Sequence, residues 1–371
     1  MADDPATSRE SPPRGPLGRI GQDTVTLITI ALCLVSAATA WYLLKEFATF
    51  LRPLLLAVFL CYVIVPIHLR LKQYVSGFVS LVLMVGGSVA ILLLLALLVQ
   101  SSVVALTEDL PRLESRARGL IEQGQQWIRD QQWIHDYVPS WLSTTFSEEP
   151  GAEKQRADKI AQIALGIANV AWDFLVEAVI VGFYLLFLLL EASRFPGRVR
   201  KSFVNDQADQ ILAIVGNINI AIADYLRVKT KASLFLAVPV TVILWVFGVK
   251  FAVLWGVLTF LCNFIPYLGS IVAASVPILF AFLEVEPIWK PITAGLGIVA
   301  AHMVMAYLVE PAMLGKGVGL SPLVILAALA FWGQCWGLIG MFLAVPLTVM
   351  LKIVLENVAF TRPFARMLSD E

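Results

Sequence analysis

The sequence predicts an all-α, polytopic membrane protein. It has about eight apolar segments, two of them broken or re-entrant, and a helical insert on the outer side. Three observations carry this. Of the 371 residues, 59% are hydrophobic and 15% charged, against about 25% charged in a soluble domain. The apolar residues fall in blocks of crossing length, since about 20 residues at ~1.5 Å rise span the hydrocarbon. Arg and Lys gather in alternate loops, as cytoplasmic loops require.

The formal net charge is zero, so the overall balance points to no nucleic-acid partner. The partner that composition implies is the lipid bilayer. Cys33, Cys61, Cys262 and Cys335 all lie in apolar segments without metal-ligand spacing, and they read as small buried or lipid-facing residues.

In chain order, residues 1–22 are rich in Pro, Ser and charge and are expected to be a disordered cytoplasmic N-terminus. Apolar blocks follow at 25–44, 54–69 and 77–99, the three spans of region 23–100. The first is long and has no small-residue cleavage site, which reads as an uncleaved span. Residues 101–159 carry ten acidic and seven basic residues. Within them Leu110, Leu113, Ala117, Leu120, Ile121 and Ile128 recur at helical steps, so the extracytoplasmic insert should be largely amphipathic helix. Trp127, Trp133 and Trp141 read equally as lipid-surface anchors or as the core of that insert.

A long fourth span occupies 160–191. Region 192–231 combines a basic run with apolar residues at helical spacing, Ile211, Ile214, Val215, Ile218, Ile222, Tyr225 and Leu226. It is expected to be an amphipathic helix that ends in a basic anchor and either lies along the inner face or packs against a neighbouring subunit. The remaining blocks, 232–248, 251–283, 291–309 and 322–355, form a broken-helix region, 232–357, before a cytoplasmic tail at 358–371. Arg9, Arg14 and Arg19, then Arg70 and Lys72, then the loop from Arg194 to Lys231, then Lys352, Arg362 and Arg366 all fall on one side. Both termini are therefore expected in the cytoplasm.

Two blocks are too long for one straight span. The first contains "NFIPYLGS" (263–270) and the second Gly333, Gly337, Gly340 and Pro346. Each reads as two half-segments, either two tilted crossings or a re-entrant hairpin. At the first break the expected geometry is a helix stop at Asn263–Pro266, a turn at Gly269 and an N-cap at Ser270.

Catalytic chemistry is not indicated. No HExxH, GxSxG, P-loop or paired-cysteine motif occurs, and there are three histidines. Ser321 precedes Pro322, the N-cap and N1 pairing of a helix start. No enzyme, cofactor or metal site is expected. Ionisable groups inside apolar segments are costly and are functional candidates by default. Asp173 and Glu177, four apart, share one face of span four. Glu177 is about 20 Å and Asp173 about 26 Å from the inner end of that span. They face a common cavity or mark the outer interface. Glu310, beside Pro311, is expected to pair with Lys316 or an arginine of the basic loop, or to handle a cation.

In the C-terminal half "NFIPYLG" (263–269), "EPAMLGKGVGLSPL" (310–323) and "GLIGMFLAVPL" (337–347) occur in order, after "YLRVKTKASL" (225–234). With three spans, an outer insert and a long fourth span, this resembles the autoinducer-2 exporter family of bacterial membrane proteins. The resemblance implies a permease of the inner membrane, linked in some members to export of the autoinducer-2 quorum-sensing signal and in others to sodium or lithium/proton antiport. It also implies homo-oligomers, pentamers among them, and elevator-like movement of a broken-helix domain. One departure is the run His302, Met303, Met305 and Tyr307 before the "EP" element, where the family often has polar residues.

The resulting expectation is a secondary transporter for a small molecule or cation. Asn263, Pro266, Tyr267, Gly269 and Ser270 would line the substrate path at the first break. Gly315, Gly317, Gly319, Ser321 and Pro322 would form the second element, with Gly337, Gly340 and Pro346 shaping its return. Asp173, Glu177 and Glu310 would couple an ion. The alternatives are a cation/proton antiporter on the same scaffold, or a non-transporting oligomeric scaffold or sensor that binds a partner through its insert.

Overall fold

The computed structural model describes residues 16–130, 175–192, 194–314, 319–358 and 361–369. Among the described residues every regular element is helical. The chain divides into two compact units, Met1–Phe50 and Leu51–Glu371. The first is built on α1, Pro16–Glu46. That helix starts well before the apolar edge at Val25, so 16–22, expected as part of a disordered tail, is helical. A proline is tolerated in a first turn because its missing N–H would be unpaired there anyway. None of the apolar stretch Leu27–Glu46 is buried, as befits a helix whose solvent is lipid.

In the second unit α2 (Ala48–Leu71), α3 (Gly77–Asp130) and α4 (Leu175–Ala192) pack together. Ala57 and Ile64 of α2 are buried with Val181 and Leu185 of α4, and Met84 and Val85 of α3 lie against them. A Cβ on Gly182 would come within 2.6 Å of the Val89 side chain, so α4 and α3 meet closely through a small residue. The α2–α3 turn is fastened by Ser80 Oγ, 2.8 Å from His68 Nδ1. Helix α3 continues without interruption to Asp130, so the insert expected at 101–159 begins as an extension of the third span. Trp133 and Trp141 lie outside the described residues.

After α5 (Phe195–Ser202), α6 runs from Asn205 to Val246 as one helix. A separate helix along the inner face, ending at a basic anchor, is not formed. The reason is register. Ile218, Ile222, Tyr225 and Leu226 are buried, and the same stripe continues through Ala232, Leu236, Val240 and Leu244. With one face packed end to end, nothing favours a bend at the basic residues.

Helices α7 (Ala252–Cys262) and α8 (Leu268–Glu284) form the first broken block. Helix α9 (Trp289–Val304) passes through a π-turn, Met305–Val309, into the short α10, Glu310–Leu314. Helix α11 (Pro322–Asn357) and α12 (Arg362–Met367) complete the described chain. A buried core joins these elements, with Leu236, Val240 and Leu244 of α6, Trp255 of α7, Phe280 of α8 and Ile298 of α9. Leu113 of the α3 extension belongs to the same core. Among the described residues seven helical stretches are long and apolar enough to cross a membrane, Pro322–Asn357 among them. That last stretch does not cross as a rod.

Candidate functional site: two opposed hairpins

Both broken blocks are hairpins. In the first, the backbone N–H of Lys250 donates to Glu284 Oε2 at 2.7 Å. In a continuous helix these residues would be about 50 Å apart, so the chain has reversed between α7 and α8. In the second, Lys352 Nζ donates to the Gly319 carbonyl at 2.6 Å, across a stretch of about the same ideal length. Helix α11 is therefore two antiparallel halves. The reversal occurs at Gly337, whose φ of 65° and ψ of −141° are outside helical geometry. Only glycine adopts such a conformation readily.

The two reversals are built differently, and the first departs from expectation. Helix α7 ends at Asn263, and the left-handed residue is Tyr267, with φ 61° and ψ −65°. Leu268 N–H donates to the Pro266 carbonyl at 2.7 Å, which makes Tyr267 the centre of a γ-turn of the rare, strained kind. Gly269 is not the turn residue and Ser270 is not the N-cap; both lie inside α8. Gly269 is needed for proximity, because a Cβ there would sit 1.7 Å from the Cys262 carbonyl oxygen. Gly340 plays the same part in the second hairpin, where a Cβ would sit 1.9 Å from the Trp332 carbonyl oxygen. In each hairpin the returning half packs directly on the end of the incoming one.

The hairpins enter from opposite ends. The base of the first is tied to the α3 extension, with Lys250 Nζ 2.7 Å from Asp109 Oδ2 and Arg116 paired to Glu286. The base of the second lies by α12, where Ser321 N–H donates to the Leu368 carbonyl. Ser321 is the N-cap expected for this helix, its hydroxyl accepting from Val324 N–H, with Pro322 in the first turn. The tips overlap. Phe264 stacks on Phe342 with centroids 4.6 Å apart, and Ile265 rests on Ala328, Leu329 and Ala344. Pro346 is fully buried in the returning half. Trp332 Nε1 donates to Thr348 Oγ1 at 3.3 Å across the second hairpin.

Helix α6 is the wall against which these parts are aligned. Gly256 of α7 meets Thr241, whose hydroxyl would lie 1.8 Å from an added Cβ. Asn263 at the first tip donates from Nδ2 to Ser233 Oγ at 3.0 Å, both residues being buried. One turn towards the start of α6, Lys229 Nζ lies 2.5 Å from Glu310 Oε1, the lysine side chain only 6% exposed. Glu310 thus pairs with Lys229 rather than with a described arginine, and Lys316 lies outside the described residues. Sequence reading missed Lys229 and Ser233. Their i, i+4 spacing with Tyr225 was the available signal, hidden because the lysine looked like one more member of a basic loop.

Asp173, Gly315 and Gly317 lie outside the described residues. Glu177 is partly buried on α4, which packs with α2 and α3, whereas Glu310 packs on α6. Among the described residues no group of three or more metal-ligating side chains comes together.

Residues 28–360 match the family model described as AI-2E family transporter. The chain is similar to a "Putative transport protein" of Haemophilus influenzae, 34% identical over 57% of this chain and 60% of that one. It is also similar to "AI-2 transport protein TqsA" of Escherichia coli, 35% identical over 50% of this chain and 53% of that one. A longer match, to "Putative transport protein YrrI" of Bacillus subtilis, is 23% identical over 89% of this chain and 95% of that one. The chain thus spans between half and two thirds of the first two relatives and nearly all of the third. With its apolar helices it is a multi-pass helical membrane protein, and it belongs to the AI-2E transporter family.

Proposed function

We propose that the protein is a secondary permease of the bacterial inner membrane that moves a small polar solute past the tips of the two hairpins. The observation that carries this is the packing of Phe264 and Ile265, at the first tip, against both halves of α11. Broken helices persist in a bilayer only where the freed backbone is buried in protein or lines a wet cavity. Asn263, Pro266, Tyr267, Gly269 and Ser270 form one side of the path. The element from Gly315 to Pro322, with Gly337, Gly340 and Pro346, forms the other. The alternating basic loops support cytoplasmic termini. The relative named as an AI-2 transport protein makes autoinducer-2 the first solute to test, exported by movement or gating of the hairpins. Asp173, Glu177 and Glu310 are the ion-coupling residues of this reading. The protein works as a homo-oligomer, a pentamer in the arrangement the family resemblance implies.

A second reading, a sodium or lithium/proton antiporter, is favoured by the buried Lys229–Glu310 pair, since intramembrane charges mark ion pathways. Purified protein in proteoliposomes separates the two. Autoinducer-2 efflux that Asn263→Ala reduces supports the permease reading. Sodium-driven proton movement without autoinducer-2 flux supports the antiporter. Neither flux, from protein that is folded and oriented, would overturn both.

A further inference from the structure

Residues 194–204, the short stretch around α5, carry four basic side chains and no acidic one. Arg194 caps α5 in helical geometry. Arg194, Arg198 and Lys201 are therefore spaced by four and three residues along one face, and all three are exposed. Beside that face Phe195 is 42% exposed, and past the end of the helix Phe203 and Val204 are 47% and 73% exposed. Val199, midway between the two phenylalanines, is the one buried residue of α5. The helix packs on α6 and still leaves both aromatic rings largely uncovered.

The level of α5 is set by α4. The apolar stretch Leu175–Ala192 ends three residues before Phe195, a separation of at most about 11 Å. Arg198 then folds back to pair with Glu191 in the last turn of α4, and the Arg194 N–H donates to the Glu191 carbonyl at 2.9 Å. The middle of α5 is thus tied to the depth where hydrocarbon gives way to headgroups, a layer roughly 6 Å thick on each side of a bilayer. The long amphipathic helix expected over 192–231 is absorbed into α6, but α5 keeps a place at the surface.

We infer that α5 and the two residues after it form a binding site for an anionic phospholipid. Its phosphate is taken by Arg194, Arg198 and Lys201, and its acyl chains cover Phe195, Phe203 and Val204. Cations beside uncovered aromatic surface at headgroup depth are satisfied on both counts by a charged lipid. An acidic protein would answer the charges alone. Intramolecular acceptors compete little. Arg198 keeps donors beyond those that Glu191 takes, since a guanidinium has five N–H groups. Arg200, off the shared face, meets Asp209 at 3.8 Å with both side chains exposed, and such pairs contribute little. Among the described residues no ion pair holds Arg194 or Lys201. Because α5 joins α4 to α6, the wall on which the hairpins are aligned, a lipid bound here fixes that junction at the membrane surface.

The test needs neither a transported solute nor a known orientation in the membrane. Full-length protein in detergent is offered phosphatidylglycerol and phosphatidylcholine together, and the lipids it retains are counted by native mass spectrometry. Phosphatidylglycerol should be retained in preference. Arg194→Gln with Lys201→Gln should lower that preference roughly fivefold for each basic residue removed. The charge-keeping pair Arg194→Lys with Lys201→Arg should leave it unchanged. So should Lys72→Gln, which removes an exposed basic residue from the α2–α3 turn. Phe195→Ser with Phe203→Ser should reduce retention of both lipids, and free glycerol 3-phosphate should displace neither. No preference in the wild-type protein, or a preference that survives the glutamine pair, overturns the site. An equal loss in Lys72→Gln overturns it in favour of a diffuse surface charge. Displacement by glycerol 3-phosphate overturns it in favour of a soluble anion, and retention that ignores the serines in favour of an acidic protein partner. The permease reading stands or falls separately, on solute flux.

Discussion

Phe264, at the tip of the first hairpin, stacks on Phe342 in the returning half of the second, with ring centroids 4.6 Å apart. This is where the two opposed hairpins touch through aromatic surface, and it makes them energetically dependent on each other. An offset aromatic pair contributes about 0.5–1.5 kcal/mol beyond its buried area. A double-mutant cycle of Phe264→Ala and Phe342→Ala, read by reversible unfolding in detergent, should give a coupling energy of that size. Strict additivity would mean the hairpins behave independently.

The close-approach glycines should be the least tolerant positions of the transport region. Gly269→Ala and Gly340→Ala each drive a methyl into a carbonyl oxygen less than 2 Å away, so they should cost at least the ~1–3 kcal/mol typical of overpacking. Gly86→Ala, which meets nothing within 4 Å, is the control and should be neutral or slightly stabilising. Thermal melting of the three variants side by side decides the matter.

Tyr267 occupies a conformation that costs about 1–3 kcal/mol for a residue with a side chain. Tyr267→Gly removes that strain and should raise stability by about 1 kcal/mol, after the added entropy of glycine is discounted. Loss of solute flux despite the gain in stability would place the tyrosine in the path. Unchanged flux would make it a structural turn residue.

Removing Glu310 leaves the buried Lys229 ammonium alone, and such changes cost about 3–5 kcal/mol. Glu310→Leu should therefore destabilise strongly. Adding Lys229→Met should recover most of the loss, because two apolar residues need no partner. Denaturation midpoints of the single and double variants test this, and a double variant no better than Glu310→Leu would show that the pair is not the source of the cost.

The outer ion pairs should behave in the opposite way. Lys250 is 45% exposed and its partner Asp109 28%, so Asp109→Asn should cost under about 1 kcal/mol and less still in high salt. A larger, salt-insensitive effect would mark the base of the first hairpin as a buried anchor.

Much of this architecture was legible in the chain because a bilayer punishes the alternatives. Blocks of crossing length and glycine or proline inside two overlong apolar runs were enough to predict the helical class and that two blocks are broken, one within 263–270 and one among Gly333, Gly337, Gly340 and Pro346; the structure puts the breaks at 263–267 and at Gly337. Ser321 before Pro322 correctly marked a helix start, since capping chemistry is local. What stayed hidden depended on contacts distant in sequence. Composition offered two crossings or a hairpin for each broken block. The meetings of Lys250 with Glu284 and of Gly319 with Lys352 showed that the chain reverses in both, and the 11 residues of α7 are too short for a full crossing of about 20 residues. The turn at Tyr267 instead of Gly269 was decided by the Cys262 carbonyl, which leaves no room for a side chain at 269 and so reserves the glycine for packing. Lys229 looked like a solvated basic residue until Glu310 was brought to it from 81 positions along the chain. Local preferences are written in short stretches of sequence, whereas the pairing of a buried charge is settled only when the helices that carry its partners have packed.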